Sequence, residues 1–111
     1  YVVAGPLPAA LETFQSAFGV SPVVGGRHVG FGTHNALLSL GPGRYLELLA
    51  RDPSQPGVEP AFLGAADGDR LSTWAVAMSQ EELEAFPLDS GVVSMARERA
   101  DGSKLAWQIK A

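Results

Sequence analysis

One pattern runs through the chain twice and limits its fold more than any other feature. It is a short apolar strand, a helix with one apolar stripe, then paired strands joined by tight turns. In the first copy Tyr1-Val2-Val3-Ala4 reads as a buried strand and Gly5-Pro6 as its turn. Leu7, Ala10, Leu11, Phe14, Ala17 and Phe18 then fall at helical spacing. Pro8 suits the first helical turn, and Gly19 the position just past the end. A helix with a single apolar stripe needs a sheet to cover. Residues 20–24 read as an edge segment weakened by Pro22, and Gly25-Gly26 as the start of a loop. Residues 35–40 and 45–50 read as strands joined through Gly41-Pro42-Gly43-Arg44, where Pro followed by Gly is the type II pairing.

Residues 52–70 form the one long break, rich in Pro, Gly and Asp, with a single helical turn expected at 60–63. The pattern then restarts with a strand at 71–78. Ser79-Gln80-Glu81-Glu82 spells a capping box, and Met78 and Leu83 sit where a hydrophobic staple belongs. Leu83 and Phe86 make a short apolar face that Pro87 stops. Residues 92–99 and 104–110 read as strands joined through Asp101-Gly102, a strong hairpin signal. The simplest reading is an α+β domain of two βαβββ-like modules, the second truncated before its last strand. Module one is 1–50, the linker 51–70 and module two 71–111, all within one domain over 1–111.

Composition removes whole classes of function. A net charge of -4 gives no basic surface for nucleic acid or for anionic membrane. The absence of cysteine excludes disulfides, thiolate nucleophiles and Cys-type zinc sites. No apolar run reaches membrane-spanning length, and a cytoplasmic location is the expectation. With two histidines in one loop region, no Ser-His-Asp grouping is legible.

Glu47 stands alone in the apolar run Tyr45-Leu46-Glu47-Leu48-Leu49-Ala50. A carboxylate in such a strand is costly unless solvated, paired or bound to a metal, so Glu47 reads as a pocket wall. It is the candidate general base. The polar residues before it leave two registers open. An even turn between Leu40 and Tyr45 places Leu38 opposite Glu47 and turns His34 to the Glu47 face. A bulge turns Asn35 inward instead, with Thr33 and Ser39 in one polar stripe. His34, Asn35, Thr33, Tyr45, Trp74 and Arg97 are the candidate substrate contacts, Arg97 for an anionic group. The loop reading of Thr33, Asn35 and His28 is that they close turns onto the backbone. With an even Asp101-Gly102 turn, Leu105, Trp107 and Ile109 share a core face with Ala96 and leave Met95 and Arg97 on the other.

The run Gly25-Gly26-Arg27-His28-Val29-Gly30-Phe31-Gly32-Thr33-His34-Asn35, with Tyr45-Leu46-Glu47 after it, resembles glyoxalase-like domains of the vicinal oxygen chelate superfamily. Val2-Val3-Ala4-Gly5-Pro6, Arg97, Asp101-Gly102, Leu105 and Trp107 are similar to the same group. The resemblance implies paired βαβββ modules whose curved mixed sheet encloses a pocket, with helices outside. It implies that Glu47 matches a metal-ligand position, while Thr73 stands where the second module's first-strand ligand would be. It leaves open one divalent metal (Mn, Fe, Ni or Zn) or none. The leading function is a small-molecule enzyme of isomerase, lyase or dioxygenase type acting on an oxygenated substrate. The alternative is a metal-free protein that binds or sequesters a small molecule, as bleomycin-resistance relatives do. A homodimer is expected, because a module ending after its third strand exposes a sheet edge.

Overall fold

The computed structural model describes residues 1–64 and 68–111. Its elements are α1 (Leu7–Phe18), β1 (Val23–His28), β2 (Thr33–Ser39), β3 (Tyr45–Arg51), α2 (Gln80–Ala85), β4 (Val92–Glu98) and β5 (Lys104–Lys110). The strands form one curved antiparallel sheet in the order β3-β2-β1-β4-β5. A parallel component comes from the start of the chain, where Val2 bridges Leu49 of β3. Strands β4 and β5 extend the same sheet beyond β1. The 64–68 part of the break includes residues 65–67, which lie outside the described residues.

Helix α1 forms where the apolar stripe places it. Gly19 ends it in the left-handed conformation (φ 72°), its N–H bonded to the Gln15 carbonyl at 2.9 Å. Leu7, Ala10 and Phe14 are buried against Val3, Ala36, Leu48 and Ala50, with Leu38 and Leu46 packed alongside. Each large side chain so buried contributes roughly 1.5–3 kcal/mol. Phe18 departs from the stripe and is two-thirds exposed, its ring centroid 5.4 Å from that of Phe14. Leu46, Leu48 and Ala50 of β3, with Ala36 and Leu38 of β2, thus face α1. Alternate residues face away, and the sheet has one helix-covered face and one open face.

Four expectations are corrected. Strand β1 runs through Gly25-Gly26 rather than stopping before them. A bulge falls between the pairs Val24–Ala36 and Gly26–Asn35. A Cβ on Gly26 would collide with the Glu98 carbonyl and stand 2.8 Å from Arg97 Cγ, so glycine lets β4 come close to β1. Residues 71–78 do not form a strand: they join no ladder among the described residues, with Leu71 and Trp74 at 77% and 83% exposure. Alternating apolar residues supply the pattern of a strand but not its hydrogen-bond partner. Residues 60–63 make a turn rather than a helical turn.

The fourth correction concerns both hairpins. Leu40 N–H bonds the Arg44 carbonyl at 3.0 Å, and Arg99 N–H the Ser103 carbonyl at 2.9 Å. Each closes a three-residue loop whose last residue is a left-handed glycine, Gly43 at φ 67° or Gly102 at φ 82°. An odd loop shifts the face by one residue relative to the even turns expected. Leu37, not Leu38, lies opposite Glu47, and Asn35 lies opposite Leu49. Arg97 lies opposite Leu105, and Met95 opposite Trp107, so the aromatic and aliphatic residues of β5 share a face with Arg97 and not with Ala96. The capping box of α2 forms as expected, with Glu82 N–H on Ser79 Oγ at 3.2 Å and Ser79 N–H on Glu82 Oε2 at 2.7 Å.

Candidate functional site

On the open face, β1 and β3 bring one polar residue each and β2 brings two to a single chain of hydrogen bonds. Asn35 Nδ2 donates to Glu47 Oε1 at 2.6 Å. The same amide nitrogen stands 3.4 Å from His28 Nε2, and His28 Nδ1 stands 2.9 Å from Thr33 Oγ1. Asn35 has two amide hydrogens, one for Glu47 and one directed at His28. Nε2 therefore accepts, and Nδ1 carries the proton and donates to Thr33. His28, Thr33 and Asn35 are buried to 3%, 0% and 2% exposure, whereas the Glu47 side chain is about two-fifths exposed. The buried part of the chain thus holds the one carboxylate that meets solvent.

Burial pushes the His28 imidazole below its ordinary pKa; Glu47 acts against that, and Arg97 and His34 act with it. His28 is accordingly neutral at pH 7, and its 3.9 Å approach to Glu47 is not an ion pair there. The edge of the Trp107 ring meets the His28 ring, with centroids 5.9 Å apart and planes at 78°. The β1–β2 loop that sets His28 is braced by Gln55. Its Oε1 accepts from Gly30 N–H at 2.9 Å, and its Nε2 donates to the His28 carbonyl at 3.2 Å and to Asp52 at 2.8 Å.

Next to this chain, Arg97 and Gly25 border an open cleft of about 410 Å³, with Val23, Leu37 and Asp101 among its other walls. Gly25 has no side chain because Asn35 and Arg97 occupy the space one would take: a Cβ there would stand 2.9 Å from Arg97 Nη1 and closer still to Asn35 Oδ1. The hydrogen-bonded chain therefore adjoins the cleft at Gly25, against which Asn35 packs.

The candidates separate cleanly. Glu47, Asn35 and Thr33 come together, and Arg97 stands on the same face. His34 pairs with Ala50 on the opposite face, beside Arg27 and Asp52, and its Nε2 has no partner among the described residues. Tyr45 lies at the exposed end of β3 opposite Ser39. Trp74 is outside the sheet and exposed. His28 and Trp107 are the residues that sequence reasoning passed over, one as loop chemistry and the other as core. The signal for His28 was its five-residue separation from Thr33, which a strand continuing through Gly25-Gly26 converts into a cross-strand pair.

A divalent ion at Glu47 would need Glu47 and His28 Nε2 as neighbouring ligands. The Asn35 amide stands between them and presents hydrogens where a cation requires lone pairs. Among the described residues no three His, Cys, Asp or Glu side chains converge on one point. Thr73 is exposed on the 71–78 segment, where its hydroxyl meets only the Trp74 carbonyl. The donor set in this arrangement does not fit a metal ion.

No helix of the described residues is long and apolar enough to cross a membrane. Searches of curated proteins and of solved structures find no significant match. The profile of the glyoxalase-like domain family matches residues 1–111, and the chain belongs to that family within the vicinal oxygen chelate superfamily.

Proposed function

We propose that this domain binds a small oxygenated molecule on the open face of its sheet without a metal ion. The supporting observation is the hydrogen-bonded chain Thr33–His28–Asn35–Glu47, which commits one Glu47 oxygen to Asn35 and leaves Oε2 without a partner among the described residues. A carboxylate oxygen held this way accepts a hydroxyl or ammonium group without having to be ordered by the ligand first. Arg97 adds a positive charge to the same face, and Leu37 and Trp107 supply apolar walls. The test is a fragment screen by amide chemical-shift mapping, repeated on Glu47→Gln. Hits should move the amides around Asn35, Leu37 and Gly25, and the variant should weaken them about tenfold while keeping its melting temperature. Hits that map elsewhere, or that bind both proteins equally, count against the site.

A second reading, a metal-independent isomerase or lyase with Glu47 as general base, is supported by the same free oxygen. Deuterium incorporation into a bound ligand in D2O, abolished by Glu47→Gln with binding retained in part, would select it over simple binding. Elemental mass spectrometry of the purified protein is the check on both readings. One equivalent of Mn, Fe, Ni or Zn, lost in Glu47→Ala, would overturn the metal-free proposal.

A further inference from the structure

The five strands are not held together evenly. β2 and β3 pair along their whole length, from Thr33–Arg51 to Ser39–Tyr45, and β4 and β5 from Val92–Lys110 to Glu98–Lys104. β1 pairs with β2 from Val23–Leu37 to His28–Thr33. Between β1 and β4, by contrast, Arg27–Glu98 is the only register pair among the described residues. The covered face adds no clamp there. The buried cluster under α1 draws on the start of the chain, α1, β2 and β3, and on no residue of β1, β4 or β5. Helix α2 buries none of its residues and is tied to its own side, where Lys110 Nζ of β5 bonds the Glu84 and Phe86 carbonyls at 3.2 and 2.8 Å. The chain crosses from one side to the other through residues 71–78, which join no ladder among the described residues. On the open face the contacts across the seam include the Trp107 ring edge on His28, and Arg97 over Gly25 and Gly26.

We infer that the sheet hinges at this seam: β1, β2 and β3 with α1 turn against β4 and β5 with α2 about the Arg27–Glu98 pair, and the turn widens and narrows the open-face cleft. The cleft lies across the seam, with Val23, Val24 and Leu37 on one wall and Arg99, Ala100 and Asp101 on the other. A hinge needs a few positions that absorb the rotation while the bodies on either side keep their packing. Gly26 is such a position. It sits next to the β1 bulge at φ 152°, against the Glu98 carbonyl, with no side chain to fix the angle between the strands. Within each body the long ladders open only together, whereas a single pair can twist without breaking a neighbour. The hinge belongs to the sheet and needs no ligand, but a molecule that touches both walls of the cleft favours the narrow state.

Hinge motions run on the microsecond-to-millisecond scale, and residual dipolar couplings average over them. Amide couplings of β2 and β3 and those of β4 and β5 are fitted separately, on the wild-type chain in two alignment media. Bodies that turn against each other give alignment tensors that differ in magnitude or axes; a rigid sheet gives one tensor for both. Gly26→Ala puts a side chain against the Glu98 carbonyl and pushes the strands apart, so the difference between the tensors should grow. Chemical shifts should change along β1 and over Arg97–Asp101, while the β2–β3 and β4–β5 ladders keep theirs. Gly41→Ala, at another positive-φ glycine but with nothing close to its Cβ, is the control and should leave both tensors as in the wild type. One tensor fitting both bodies of the wild-type protein overturns the hinge, whether or not Gly26→Ala folds. Tensors that Gly41→Ala alters as much as Gly26→Ala overturn the seam as its place.

Discussion

Asp52, just past the end of β3, is a carboxylate at 3% exposure. Burial alone would raise its pKa, but hydrogen bonds from Ser54, Gln55 and Arg27 outweigh burial and hold it well below the usual carboxylate range. In the unfolded chain it takes up a proton near pH 3.9, whereas in the folded chain it stays charged to lower pH. Its contribution is therefore complete above about pH 5 and is lost progressively as the pH falls through 4 and below. Asp52→Asn should lower unfolding free energy at pH 7 by about 2 kcal/mol and flatten the acid limb of the stability curve. Urea denaturation at pH 7 and pH 3.5 measures both; parallel curves for the two proteins would show that Asp52 is not the acid-sensitive group. The same residue matters to the site, because Asp52 anchors Gln55, which holds the His28 carbonyl. Glu47 was legible in the sequence because a lone charge in an apolar strand has few explanations. His28 was not, because its importance depends on a cross-strand partner that local composition does not reveal.

At the scale of the hairpins, one loop residue decides which side chains meet. Gly41-Pro42-Gly43 and Ala100-Asp101-Gly102 each look like the two-residue turns that preserve an even register, but each closes as three residues ending in a left-handed glycine. The existence of the strands and hairpins was legible from apolar runs and Gly-bearing turns. The faces were not, since Pro-Gly and Asp-Gly occur in loops of either length and one residue inverts every side chain after it. In β2 the polar stripe of Thr33, Asn35 and Ser39 pointed to the observed register, and the turn alone pointed away from it. In β4 and β5 the odd loop brings Arg97 to the face of Leu105 and Trp107. Any other residue at the third loop position is strained. Gly43→Ala and Gly102→Ala should each cost about 1 kcal/mol, read as a lower urea midpoint at constant slope. Gly57→Ala, where neither a close neighbour nor a positive φ exists, is the control. Equal midpoints for all three variants would contradict the loop geometry on which the faces depend.

At the scale of the whole molecule, the two halves are unequally covered. The first half packs α1 over β2 and β3, and its core residues Ala36, Leu48 and Ala50 are fully buried. In the second half α2 buries none of its residues, and Leu71, Trp74 and Val76 lie exposed, as do Val93 and Leu105 on the open face of β4 and β5. The radius of gyration is 14.5 Å, against about 13 Å for a compact chain of this length. Among the described residues β5 pairs only with β4, which leaves a row of unpaired backbone groups beside the exposed Val93 and Leu105. A free edge next to exposed large side chains favours pairing with another copy of the same edge. Two β5 strands running antiparallel about a twofold axis satisfy both edges with one self-complementary contact. This is the proposed homodimer, and it makes an ordered demand on the measurement. Sedimentation velocity should show a dimer at micromolar protein. Gln108→Pro, which removes an edge donor, should shift it to monomer, and Leu105→Ser should weaken it about tenfold. The wild-type chain running as a monomer at 100-fold higher concentration would remove the dimer, and a dimer insensitive to Gln108→Pro would place the contact elsewhere. Because Arg97 and Trp107 stand on the strands next to that edge, loss of the dimer should also reduce ligand affinity if the partner stiffens the open face. Repeating the fragment screen on Gln108→Pro tests that coupling directly.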